Sequence, residues 1–245
     1  MENSISVAEA KKKLIVALDL PDRRQALEMA GLLGDQVGAF KIGMQLFYSQ
    51  GPAIVQEIRA LGGQVFIDLK LHDIPNTVAK ATAALTRQGA LMMTLHAAGG
   101  FKMMSAAAAA MRQEADDCGL QKPLALAVTV LTSLSQEEFC REIGNPKPIA
   151  RQVVDWALLA QEAGLDGVVC SPWEIEPIRE ACGQDFLIVT PGVRPDWAAA
   201  DDQQRIMTPR EAISKSASYL VVGRPITAQP DPASAAAKIV QEMTI

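Results

Sequence analysis

The sequence predicts a single α/β domain of the (β/α)8, or TIM-barrel, class extending over residues 1–245. Three observations carry that prediction. Short runs of apolar and β-branched residues recur eight times, each too apolar to have a solvent-facing side, as expected of parallel strands covered on both faces. Longer helical patterns fill the intervals, so that strand and helix alternate in one uninterrupted series. Neither a low-complexity linker nor a change in composition divides the 245 residues, and a hydrophobic content of 49% is ample for one large core.

The first strand is expected at residues 14–20. Lys11-Lys12-Lys13 ahead of it imitates the start of a secretory leader, but Asp19 halts the apolar run after Leu18. A leader needs at least about seven apolar residues, and a membrane span roughly twenty, so a cytoplasmic protein is expected. Further strands are expected at residues 39–44, 64–70, 90–97, 124–131, 167–171, 186–192 and 219–223. Helical patterns include residues 52–61, 76–88, 150–163 and 233–243. Gly62, Gly89 and Gly164 close three of them, where a left-handed cap costs least. The competing fold is an open doubly wound sheet with a glycine-rich dinucleotide turn after its first strand. Here that strand runs into Leu18-Asp19-Leu20-Pro21-Asp22, without the glycines. Gly99-Gly100 lacks the remaining spacing, and Ala106–Ala110 is more simply a strong helix former.

Several functions are disfavoured by composition. With 23 Lys+Arg against 28 Asp+Glu the formal charge is −5, and no basic run longer than Lys11-Lys12-Lys13 marks a nucleic-acid groove or membrane face. The four cysteines form no C-x-x-C pair and are expected to be free thiols. His72 and His96, the only histidines, make no zinc signature, so no metal site is expected. No G-x-S-x-G elbow and no activated cysteine support acyl transfer.

Polar residues collect instead at the C-terminal ends of the expected strands: Asp19, Lys41, Asp68 with Lys70, His96, Thr132, Ser171, Arg194 and Arg224. In a (β/α)8 barrel those ends form the active-site face. Within Asp68-Leu69-Lys70-Leu71-His72-Asp73, Asp68 and Lys70 lie two apart and would point to the same side of an extended strand. A lysine between carboxylates stays protonated and suits proton donation. Taken alone, the same spacing fits a surface ion-pair cluster equally well. His96 is better read as satisfying backbone groups at a strand end than as a catalyst. Gly223-Arg224 after the last strand and Gly192-Val193-Arg194 after the seventh combine close backbone approach with a guanidinium, as a phosphate site requires. Either alone is equally an ordinary turn followed by a solvated arginine.

Together, Leu18-Asp19, Lys41, Asp68-x-Lys70-x-x-Asp73-Ile74-Pro75-Asn76-Thr77, Val130-Leu131-Thr132-Ser133, Pro191-Gly192-Val193-Arg194 and Gly223-Arg224-Pro225-Ile226-Thr227 resemble the orotidine 5′-phosphate decarboxylase family, over about residues 14–239. Asp-x-Lys-x-x-Asp alone is shared with magnesium-dependent sugar-phosphate decarboxylases and aldolases of related barrels; the Ile-Pro-Asn-Thr and Gly-Arg-Pro-Ile-Thr segments favour the first family. The resemblance implies conversion of orotidine 5′-phosphate (OMP) to UMP and CO2 without cofactor, by a homodimer with shared active sites. It implies Lys70 as proton donor to C6 and Asp68 beside the departing carboxylate, within a network of Lys41, Asp68, Lys70 and Asp73. Asp73 and Thr77 are implied to enter the neighbouring subunit's site. Asp19 and Lys41 would hold ribose hydroxyls, Thr132 the pyrimidine edge, and Arg194, Gln203, Gly223 and Arg224 the phosphate. A non-catalytic sensor of phosphoribosyl ligands is a third reading, opposed by the intact Asp68, Lys70 and Asp73 set.

Overall fold

In the computed structural model, which describes residues 5–197 and 207–244, eight parallel strands close into a barrel in sequence order. They are β1 (Leu14–Ala17), β2 (Ala39–Gly43), β3 (Val65–Leu71), β4 (Met92–His96), β5 (Leu124–Val128), β6 (Gly167–Val169), β7 (Leu187–Thr190) and β8 (Tyr219–Val222). Closure is made by β1, whose Ile15 lies opposite both Ala39 of β2 and Val221 of β8. Every strand expected from the sequence is present. Most of the ladders end earlier than the apolar runs that announced them, because residues such as Leu18, Val130 and Leu131 leave the sheet while remaining apolar.

Alternation along the strands divides the core in two. Ile15, Ala17, Ala39, Phe66, Met92, Leu126, Val189 and Val221 form a small cluster of their own, the filling of the barrel. Residues of the opposite parity, such as Leu14, Val16, Phe40, Ile67 and Val168, join the larger layer beneath the surrounding helices. That filled interior closes the barrel axis and leaves the C-terminal mouth to hold a ligand.

The four helical patterns appear as Ala53–Ala60, Pro75–Thr86, Ile149–Glu162 and Pro232–Met243. Gly62, Gly89 and Gly164 adopt positive φ just beyond the first three. The helix ahead of β1, Val7–Lys13, was not among the expectations. Ser6 accepts from the Glu9 amide while the Glu9 carboxylate accepts from the Ser6 amide, a reciprocal cap legible as Ser6-x-x-Glu9. Lys11-Lys12-Lys13 is therefore the last turn of a helix, where cations complement the helix dipole. Among the described residues no helix is long and apolar enough to cross a membrane.

A second departure lies in β3. Ile67 is opposite Met93 and Leu71 opposite Leu95, so β3 advances four residues while β4 advances two. Lys70, within this bulge, has φ 52°. The simple alternation expected to aim Asp68 and Lys70 together does not operate there; a left-handed residue in an irregular strand replaces it.

Candidate active site

At the barrel mouth, four charged side chains from three adjacent strands meet. Asp19 follows β1, Lys41 lies on β2, and Asp68 and Lys70 lie on β3. Lys41 Nζ is 3.0 Å from Asp19 Oδ1 and 3.6 Å from Asp68 Oδ2, while Lys70 Nζ donates to the same Asp68 oxygen at 2.9 Å. The other oxygen, Asp68 Oδ1, accepts from the Thr94 hydroxyl at 2.9 Å. Burial alone would raise the Asp68 pKa, but the Lys41 and Lys70 ammonium groups, with hydrogen bonds from Lys70 and Thr94, outweigh it and hold the carboxyl below its ordinary value. Gly43 makes room for the group: a Cβ there would stand 3.0 Å from Asp19 Oδ1 and 3.1 Å from Lys41 Nζ.

Two adjoining cavities open around these charges and share Lys41, Pro191 and Val221. The inner one, about 190 Å³, is walled by Phe66, Val128, Val130 and Val169, with Asp68, Lys70 and Thr132 as its polar members. The outer one, about 220 Å³, is lined by Asp19, Gly192, Arg194, Gly223, Arg224 and Thr227. Gly192 takes φ 81°, turning the chain out of β7 so that the amide of buried Arg194 donates to the Met207 carbonyl at 2.9 Å. Arg224 begins a short helix directly after Gly223 and is exposed. An apolar chamber with a cation at its rim thus adjoins a chamber carrying two guanidinium groups, suiting a flat ring joined to an anionic tail.

Most of the residues expected at the site are brought together: Asp19, Lys41, Asp68, Lys70, Thr132, Arg194, Gly223 and Arg224 all line one cavity or the other. Asp73 and Thr77 do not join them. Both are exposed, on the loop and first helical turn after β3, and among the described residues Asp73 makes no ion pair; its carboxylate accepts from the Ile74 amide. Gln203 lies outside the described residues. Two other strand-end polar residues serve local structure. Ser171 is buried and caps the turn at Trp173, and His96 Nδ1 accepts from the Ala98 amide while its ring stacks on His72. Sequence reasoning missed Thr94. Its only signal was a hydroxyl in the otherwise apolar run Met92-Met93-Thr94-Leu95.

No group of three or more His, Cys, Asp or Glu side chains capable of holding a metal ion occurs among the described residues. The arrangement can bind an anion at one end and, at the other, present an ammonium to a reacting atom beside a part-buried carboxylate.

The chain matches the family model for orotidine 5′-phosphate decarboxylase / HUMPS proteins over residues 12–239. It is 54% identical over 234 residues to an orotidine 5′-phosphate decarboxylase of Moorella thermoacetica, covering 96% of this chain and 93% of that protein. Identity is also 54%, over 235 residues, with the same enzyme of Heliobacterium modesticaldum, covering 96% and 97% respectively. Among solved structures, the orotidine 5′-phosphate decarboxylase of Lactobacillus acidophilus superposes with a TM-score of 0.84 at 39% identity, over 95% of this chain and 99% of that one.

Proposed function

Since the chain belongs to the orotidine 5′-phosphate decarboxylase / HUMPS family, we infer that it converts OMP to UMP and CO2. The observation that carries this reading is the part-buried Asp68 carboxylate between the Lys41 and Lys70 ammonium groups, at the mouth of an apolar chamber that adjoins an arginine-lined one. In this reading the OMP phosphate occupies the outer cavity against Arg194, Gly223 and Arg224, with Gln203. Asp19 and Lys41 hold the ribose hydroxyls, and the pyrimidine fills the inner chamber with Thr132 at its edge.

The reaction then follows from electrostatics. Cleavage of the bond from C6 to the carboxylate releases CO2 and leaves the electron pair on C6. The Lys70 ammonium stabilises that charge and donates a proton to C6, giving UMP; neutral Lys70 regains its proton from water. Asp68 lies beside the departing carboxylate, where its negative charge opposes the ground state. Phosphate contacts distant from C6 contribute binding energy that is used in the transition state. No metal or organic cofactor takes part in the scheme.

The working unit in this reading is a homodimer with shared sites. Support comes from the exposed segment after β3: Asp73 and Thr77 flank Ile74, which is 66% exposed, as a loop built to seat against a second copy would leave it. Four cysteines without a C-x-x-C pair fit a reducing cytoplasm. The test is OMP loss followed by pyrimidine ultraviolet absorbance, with and without chelator. Turnover insensitive to chelator is expected. An inert protein contradicts the decarboxylase reading, and chelator-sensitive turnover assigns the chain to magnesium chemistry.

A further inference from the structure

We propose that Thr94 is a positioning residue for this decarboxylation, fixing the Asp68 carboxylate and the Lys70 main chain in a single relation through its hydroxyl. The proposal rests on the functional reading above for what is being positioned, and on geometry for how. Thr94 is 1% exposed on β4. Its Oγ1 accepts from the Lys70 amide at 2.9 Å and donates to Asp68 Oδ1 at 2.9 Å, so one hydroxyl joins both ends of the Asp68-Leu69-Lys70 bulge.

Each bond answers a specific need. The bulge breaks the regular β3–β4 register, and a part-buried Lys70 amide left without a partner would destabilise the turn that aims its side chain. Lys70 has φ 52°, a conformation that a lysine holds only when its surroundings over-determine it. On the other side, tying Asp68 Oδ1 leaves Oδ2 facing Lys70 Nζ at 2.9 Å and Lys41 Nζ at 3.6 Å. A freely turning carboxylate would not keep both ammonium groups in register. Threonine suits the task because its β-branch restricts χ1, so the hydroxyl direction is set by the strand.

The test compares Thr94→Val, which keeps the shape and removes both bonds, with Thr94→Ser, which keeps the hydroxyl. Thr94→Val should lower kcat on OMP about tenfold to a hundredfold, the size of one hydrogen bond to a charged group. KM should move by less than about threefold, since the phosphate contacts lie in the outer cavity and Lys41 keeps its shorter bond to Asp19. Thr94→Ser should recover kcat to within about threefold of the unsubstituted chain. The Asp68 carboxyl, followed by carbon NMR, should titrate at higher pH in Thr94→Val and not in Thr94→Ser, because the Thr94 bond helps to hold it low. Equal kcat in Thr94→Val, or an equal loss in both variants, would overturn the proposal. If Thr94→Val does not fold, the Lys70 amide of the unsubstituted chain decides: slow hydrogen exchange supports its bond to Thr94, and exchange at the rate of an open loop refutes it. An unsubstituted chain that leaves OMP intact sinks the decarboxylase reading instead, while the Asp68 titration and Lys70 exchange still judge the Thr94 arrangement.

Discussion

Lys70 presents its ammonium from a backbone conformation that costs an L-residue about 1–3 kcal/mol, and contacts to Asp68 and Thr94 hold it there. Strain kept at the centre of a charge cluster fits a side chain whose position matters more than its stability. If Lys70 protonates C6 as proposed, Lys70→Ala should still bind UMP but turn over OMP at least about a thousandfold more slowly, because the proton donor and the cation facing C6 vanish together. Steady-state kinetics beside UMP titration checks this, and near-normal kcat in a folded variant contradicts it. His96 affords a prediction of a different kind. Burial first, then the charges of His72 and Lys70, push its imidazole down to about 4 from an ordinary value of 6.5. Between those values the unfolded chain binds more protons than the folded one, so stability falls as pH drops through that window and levels off below about 4. His96→Asn retains an acceptor for the Ala98 amide and should lose part of that slope in thermal unfolding. An unchanged slope would contradict the assignment. At this scale the charges were legible, because Asp68 and Lys70 interrupt an apolar run. The backbone that orients them was not: no glycine marks the bulge, and Thr94 reads in sequence as an ordinary strand former.

Among the elements, β7 and β8 repeat one device, a strand followed by glycine and then arginine at the rim of the outer cavity. Arg224 at the start of its short helix is exposed whereas Arg194 is buried, and both line the cavity. Arg224→Ala should weaken UMP binding about tenfold to a hundredfold, with less effect on a ligand that lacks the phosphate. Calorimetric titration with UMP and uridine separates the two, and equal loss for both would refute a phosphate contact. The strands themselves could be read from hydrophobic runs alone, since a parallel barrel covers both faces of every strand. Their ends could not, because mouth-lining residues such as Val130 are as apolar as the ladder they leave. The Val7–Lys13 helix was written in its Ser6–Glu9 cap, a signal masked by the lysines that follow.

For the whole molecule, the charge cluster within one chain comprises Asp19, Lys41, Asp68 and Lys70, while Asp73 and Thr77 are exposed outside it. Only the family resemblance made an assembly legible in the sequence, since no spacing within one chain reveals which subunit's cavity a loop serves. If Asp73 acts in trans, mixed Lys70→Ala and Asp73→Ala dimers contain one doubly defective site and one with both native residues. Under random subunit exchange about half the dimers are mixed, and activity should return to roughly a quarter of the unsubstituted level per chain. Activity no greater than the sum of the separate variants, despite demonstrated exchange, contradicts a shared site. The central claim is narrower: C6 loses CO2 and takes up a proton without a cofactor. Proton NMR of the product formed from OMP in D2O, with chelator present, tests it most directly. The account predicts UMP carrying deuterium at C6, seen as loss of the C6 proton signal. Unchanged OMP, or UMP with hydrogen retained at C6, would contradict it.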